Sequence, residues 1–422
     1  MALDRSRTLQ TLPRLISSTR PTALVDPIDV FSAAAGVPHR ALWLQPSSGE
    51  ALVGIGNARA FVGDATGAAW REMVAAAEID APAGAGPVLM GGFSFDPASP
   101  ASALWDGFGG SRLVLPDQTL RIHGQTAWLT TNHVIEPRLL LRDAARASGP
   151  ARVGLGPAAW RDLVGSVAGG IRDGSLGVSK LVLASTRQVD VFSTVESALR
   201  RLAVDYPGCT TFAIASGEAC FIGATPEHLV SLHGGTATTM ALAGSFARGA
   251  SPEEDARLAA RLLVDPKERT EHAVVVECMR EDLAPLCRRV IAAAEPRIHA
   301  LATVQHLVTP IRAQVRAGAS VLDLVDRLHP TPAVGGYPRL RALELIRERE
   351  ALDRGWYAAP LGWVDAHGEG DFVVGLRSAL LRGSTATLFA GCGIVGGSDP
   401  ETEYVESGWK LRPMLGALGV EA

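Results

Sequence analysis

Up to about residue 150 the apolar positions come in short alternating runs, at Ala51–Ile55, Val88–Phe95 and Arg112–Ile122. Period-two alternation over such lengths predicts strands, and the Gly/Pro/Ser-rich clusters Ala81–Pro87 and Asp96–Gly110 predict the turns between them. The stretch Ala147–Pro157 reads as a linker or long loop. Beyond it the period changes: Trp160–Ile171 repeats as a helix, Gly174–Gly177 breaks it, and Lys180–Ala184 is a short β-rich run. Further strands are expected at Thr210–Ala215, Cys220–Gly223 and Phe372–Leu376. No internal repeat and no low-complexity tract is present. Runs of strands followed by runs of helices favour an α+β fold over regular βαβ alternation. The chain divides into an N-terminal part, 1–150, and a second region, 155–416.

Composition narrows the function classes. The chain has 422 residues, with 40 Lys+Arg against 44 Asp+Glu and a net charge of −4, so it lacks the basic surplus of a nucleic-acid binder. The least charged long run, Leu229–Ala247, is broken by His233, several Thr and three Gly, so no membrane span is expected. Five scattered cysteines (Cys209, Cys220, Cys278, Cys287, Cys392) without C-x-x-C spacing support neither a disulfide framework nor a zinc site. They suit a reducing, cytoplasmic setting. Arg5, Arg7, Arg14 and Arg20 against the single acid Asp4 give the first twenty residues a faint transit-peptide texture. A frayed tail is the expectation here.

Two carboxylate pairs carry candidate chemistry. In Asp265-Pro-Lys-Glu-Arg-Thr-Glu-His272, Asp265 is placed to cap a helix and Pro266 suits its first position, so Glu268 and Glu271 share one helical face. Ser398-Asp-Pro-Glu-Thr-Glu-Tyr-Val-Glu406 repeats the device, with Glu403 and Glu406 on one face and Lys410 a turn further on. Either pair alone is what ordinary helix starts show. Two such pairs from separate helices can converge on a hard cation such as Mg²⁺, which prefers oxygen ligands. Gly391-Cys-Gly-Ile-Val-Gly-Gly397 precedes the second pair and can offer backbone N–H groups to an anion, although it is neither a phosphate loop nor a dinucleotide fingerprint. Arg377, ending a strand-like run, can grip a carboxylate.

Read in order, these stretches resemble the Mg²⁺-dependent chorismate-utilising enzymes, a family that includes isochorismate synthase, salicylate synthase, anthranilate synthase component I and aminodeoxychorismate synthase. The resemblance runs from about Trp160 to Leu415. It rests on Lys180-Leu-Val-Leu-Ala184, Gly223-Ala-Thr-Pro-Glu-His228, Ala241-Leu-Ala-Gly-Ser245, Lys267–His272, Val304-Gln-His-Leu307 and Leu328-His-Pro-Thr-Pro-Ala-Val334. Gly362-Trp-Val-Asp365, Phe372–Ser378 and Gly391–Lys410 complete it. The N-terminal part matches only loosely. The resemblance implies a large two-sheet antiparallel sandwich with helices outside and the site in a deep cleft. It implies Glu271 and Glu406 as direct Mg²⁺ ligands, with Glu268 and Glu403 holding the ion's waters. Arg377, Tyr357, Lys410 and the amides of Gly391 and Gly393 look like the anchors of the substrate carboxylates. His306 looks like the site histidine, and Gly244, Ser245 and Ala333 join the substrate-binding set.

The family divides by nucleophile. Members that add water carry a lysine where Lys180 stands, whereas the anthranilate enzymes have a glutamine and add ammonia. Aminodeoxychorismate synthases use a lysine at the position of Ala243, which lacks that nucleophile here. The resemblance therefore implies addition of water at C2 of chorismate with allylic loss of the 4-hydroxyl. Lys180 would act as base, and Glu227 as an acid kept protonated by burial. Isochorismate synthase is the leading expectation, with a product serving menaquinone, siderophore or salicylate metabolism. Salicylate synthase, which goes on to eliminate pyruvate, is the alternative. The Gly362–Gly370 turn, similar to the G-W-x-D-x-x-G-x-G-E of isochorismate synthases, tilts the choice. Two departures stand out: Ala241 replaces the usual proline and Asp371 the usual glutamate. A catalytically dead scaffold acting as a binding partner is disfavoured, because Lys180, Glu227 and the metal glutamates are all present.

Overall fold

The protein is described by a computed structural model covering residues 13–63, 65–135, 149–300 and 304–421. Two large sheets dominate. Half of the larger one consists of the strands Gly336–Tyr337, Lys180–Asp190, Thr385–Ile394, Ser378–Arg382, Ala219–Thr225 and Thr210–Ser216, in that order. It continues without a break through His39–Gln45, Glu50–Ile55, Gln118–His123, Thr126–Ile135, Arg14–Pro21 and Glu78–Asp80. The second sheet runs Cys287–Ala292, Val304–Val315, Thr236–Ala247, His228–His233, Gly370–Val374 and Pro360–Asp365, then Val88–Gly92, Arg112–Leu115 and Arg59–Val62. Pairing is antiparallel except between Arg14–Pro21 and Glu78–Asp80.

Both sheets are therefore shared between early and late chain. Thr210–Ser216 pairs with His39–Gln45, and Pro360–Asp365 with Val88–Gly92. The described end of the expected linker is tied to the body by a bridge from Val153 to Leu352. Alternation sorts the strand side chains into two cores. Phe212, Phe221, Leu380 and Phe389 face the layer shared with the second sheet, where Trp105, Phe108 and Trp356 pack edge-on or stacked among them. The intervening Ala213, Ile222, Leu381 and Leu388 face outward, under the helices Pro27–Ala33, Val195–Asp205 and Pro400–Leu418. The fold is the expected α+β sandwich with outside helices.

Four local expectations need correction. Arg14–Pro21 is a paired strand rather than a frayed tail, because Leu15 and Ser17 are buried against its neighbours; residues 1–12 lie outside those described. The run Arg112–Ile122 is two strands, split at Pro116, which cannot donate to a ladder. The last residues of Val88–Phe95 and of Phe372–Leu376 fall outside the strands Val88–Gly92 and Gly370–Val374. Among the described residues no helix is long and apolar enough to cross a membrane. All five cysteines are free.

Candidate active site

The site opens where the layer between the sheets runs out of side chains. On the strand Thr385–Ile394, residues 389, 391 and 393 share one face. Phe389 fills that face and stacks on Tyr357, with ring centroids 5.1 Å apart. The next two positions are glycines. A Cβ on Gly391 would stand 2.9 Å from the Tyr357 hydroxyl, and one on Gly393 would stand 2.7 Å from Lys180 Cε. Room for a ligand is thus made by removing two side chains from a core strand. The resulting cavity, about 560 Å³, is lined by Lys180, Glu227, Gly244, His306, Ala333, Tyr357, Arg377, Gly391, Gly393, Lys410 and all four glutamates of the two pairs. Of the residues singled out from sequence only Ser245 is not among the lining, and its side chain lies outside what is described.

Each acidic helix starts as its sequence dictates. Asp265 accepts from the backbone N–H groups of Lys267 and Glu268, and Asp399 from that of Thr402, with Pro266 and Pro400 at the first helical positions. The helix Pro266–Leu283 is pinned by buried His272, whose ring nitrogens meet Ala243 C=O at 3.1 Å and Thr309 Oγ1 at 2.6 Å. Glu268 on this helix lies against the strand bulge at Gly244, a residue with φ of +76° whose added Cβ would meet Glu268 at 3.3 Å. On the other helix, the Glu403 and Glu406 carboxylates lie with Cys392 Sγ in a cluster whose donor atoms are within 4.8 Å of one another. Burial pushes the Glu403 carboxyl above its ordinary range; a hydrogen bond with Ser398 opposes this, and the charge of Glu406 adds to it. Lysines offset part of the charge: Lys267 Nζ is 4.0 Å from both Glu268 and Glu271, and Lys410 Nζ is 2.6 Å from Glu406. Four carboxylates from two helices, all lining one cavity, are an oxygen-rich set of the kind that fits a hard divalent cation such as Mg²⁺.

Lys180 and Glu227 share this cavity with opposite perturbations. Burial lowers the Lys180 ammonium, outweighing the nearby carboxylates of Glu271, Glu227 and Glu268. Burial raises Glu227 to about 7, against the opposing charges of Lys180, Arg377 and Lys410. His306 is held down at about 3 by burial and then by Lys410 and Arg377, so its imidazole is neutral at ordinary pH. Arg377 follows the strand Gly370–Val374 with φ of +48°, and Ala358, next to Tyr357, has φ of +60°. Left-handed backbone at two non-glycine positions beside one cavity is strain of the kind concentrated at functional sites. Lys410 Nζ donates to Gly391 C=O at 2.7 Å as well as pairing with Glu406. Gly391 and Gly393, two positions apart, turn their polar groups to the same strand edge, the one at which Gly391 C=O accepts from Lys410.

Several placements were not legible in sequence. The Gly362–Gly370 turn is a hairpin whose residues do not line the cavity; a Cβ on Gly362 would strike Asp371 O at 2.0 Å. Gly362 and Gly370 serve sheet packing. The departures Ala241 and Asp371 also lie off the cavity: Ala241 is core, and Asp371 is hydrogen-bonded by His228 and His233. Conversely, Arg354 lines the cavity unannounced. Its guanidinium donates to Glu350, to Val182 C=O on the Lys180 strand and to Val334 C=O beside Ala333, while Ala184 N–H donates to Glu350. Glu350 and Arg354 are spaced like any surface i,i+4 pair, and only their burial reveals the difference.

Comparison with known proteins places this arrangement among relatives. A family model described as chorismate binding enzyme matches residues 2–149 and 146–419. The chain is 42% identical over 373 residues to the salicylate biosynthesis isochorismate synthase of Pseudomonas aeruginosa, covering 83% of this chain and 77% of that one. It is 35% identical over 446 residues to the isochorismate synthase MenF of Bacillus subtilis, covering 96% and 94%. Among solved structures it matches the menaquinone-specific isochorismate synthase MenF of Escherichia coli with a TM-score of 0.78, 26% identity and 96% of each chain covered.

Proposed function

Because this chain belongs to the chorismate-binding enzymes, we propose that it is an isochorismate synthase working on chorismate in the cytoplasm. The observation that carries the reading is the pairing, in one cavity, of a lysine pushed down and a glutamate pushed up to about 7. Groups whose surroundings drive their proton affinities toward neutrality suit a base and an acid. Lys180 Nζ takes a proton from water as the water oxygen bonds to C2 of the ring. The ring double bond shifts, the C4–O bond breaks, and the Glu227 carboxyl gives its proton to the departing hydroxyl, which leaves as water. Arg377, Tyr357 and the Gly391 and Gly393 amides hold the substrate carboxylates, and neutral His306 offers a hydrogen bond. Gly244 and Ala333 shape the pocket.

Glu271 and Glu406 would hold Mg²⁺ directly, and Glu268 and Glu403 would hold its waters. When bound, the ion neutralises the ring carboxylate and fixes its orientation. Ala243 puts a methyl group on the cavity wall, which supports the absence of a covalent route. The names of relatives in two organisms support isochorismate as product. The test is incubation of the purified protein with chorismate and Mg²⁺, followed by chromatography and a coupled pyruvate assay. Isochorismate without pyruvate is expected. Stoichiometric salicylate and pyruvate would establish the elimination reaction instead, and anthranilate formed with ammonia would overturn water addition.

A further inference from the structure

Glu227 sits in a turn held by one buried hydroxyl. Thr225 ends the strand Ala219–Thr225 of the larger sheet and is 1% exposed. Pro226 has no N–H to give, so the first backbone donor after Thr225 is that of Glu227. It donates to Thr225 Oγ1 at 3.2 Å. The same hydroxyl donates to Val374 C=O at 2.6 Å, and Val374 N–H returns a bond to Glu227 C=O at 2.9 Å. Val374 ends the strand Gly370–Val374 of the other sheet. Three hydrogen bonds thus close a ring that clips the Glu227 turn across the join between the sheets, on the wall of the cavity.

We propose that Thr225 is a positioning residue for the reaction, its hydroxyl holding the Glu227 backbone so that the carboxyl is presented to the leaving group. This rests on the reading of Glu227 as the acid. Packing alone does not require the hydroxyl. Val374 C=O already accepts from Leu376 N–H at 2.8 Å, and valine has the shape of threonine. The group left without its partner by a valine is the N–H of Glu227. A turn released at that point lets the carboxyl drift, and a misplacement of about 1 Å in a reacting group costs on the order of a hundredfold in rate.

The experiment compares Thr225→Val, Thr225→Ser and Glu227→Gln in the full chain with chorismate and Mg²⁺. Thr225→Val should lose about tenfold to a hundredfold in kcat, with KM for chorismate and melting temperature little changed. Thr225→Ser, which keeps the hydroxyl, should stay within about threefold of the parent. The pH profile is the second readout. Glu227 is faced by Lys180 from its strand, Arg377 from the loop after Val374 and Lys410 from the C-terminal helix. With those charges in place, a loosened and better hydrated carboxyl ionises more easily, so the limb near pH 7 should move to lower pH in Thr225→Val and stay in Thr225→Ser. A Thr225→Val enzyme with parental kcat and profile, beside an inactive Glu227→Gln, would overturn the role of Thr225 and leave the acid assignment standing. Equal losses in valine and serine variants with lowered melting temperatures would assign Thr225 to packing. A fully active Glu227→Gln would overturn the acid assignment itself.

Discussion

A methyl group at position 393 would meet Lys180 Cε at 2.7 Å, and the lysine tip, being flexible, is what would yield. Gly393→Ala should therefore fold normally but displace the base. We expect turnover to fall by about tenfold or more while the melting temperature shifts by no more than a few degrees. Parental turnover would mean that Lys180 does not act from this position. The pH dependence belongs to the same scale. The reactive state needs neutral Lys180 and protonated Glu227, so activity falls at high pH as Glu227 gives up its proton and at low pH as Lys180 takes one up. Glu227 stands at about 7, so one limb of the profile should turn near pH 7. A flat profile from pH 5 to 9 would contradict both assignments.

At the scale of elements, the strand carrying Lys180 is held from the side by a buried ion pair. Glu350 takes the N–H of Ala184 and Arg354 the carbonyl of Val182, so the residue capping the helix Arg339–Arg349 and the loop after it fix the base's strand. Both side chains are 3% exposed. Removing one charge leaves its partner buried and unpaired, which typically costs about 3–5 kcal/mol. Glu350→Gln should lower the urea midpoint accordingly, as read by tryptophan fluorescence. A loss below about 1 kcal/mol would show that Arg354 finds other compensation. The acidic helices are a contrasting case, since their starts are set by Asp265, Pro266, Asp399 and Pro400 within single turns.

For the whole molecule, the proposed metal site joins two helices whose acidic residues are more than a hundred positions apart in sequence. A ligand that binds only the folded arrangement stabilises it by mass action, by about 2.7 kcal/mol at a hundred times its dissociation constant. Mg²⁺ should therefore raise the melting temperature of the parent protein, and Glu271→Gln and Glu406→Gln should each abolish most of that rise. Thermal unfolding over a Mg²⁺ series measures this without any turnover. An undiminished rise in both variants would place the ion elsewhere.

Much of this was legible in sequence because it is local. Helix caps depend on a residue and its next three neighbours, strand alternation on every second residue, and the ordered motifs from Lys180 to Lys410 on short stretches read one at a time. Other features were decided only in three dimensions. Gly391 and Gly393 read as an anion-cradling loop, yet they lie in a core strand, where missing side chains create the cavity. The Gly362–Gly370 stretch, whose resemblance tilts the product choice, lies in a hairpin away from the cavity, which its motif does not reveal. Glu350 and Arg354 carried no sequence signal, and Thr225 and His272 stood inside motifs that did not show their roles, because those roles come from burial and from partners as far as 172 positions away. Covalent neighbours determine which backbone shapes a segment favours. Which buried groups meet is settled by how two sheets, each drawing strands from both ends of the chain, pack face to face.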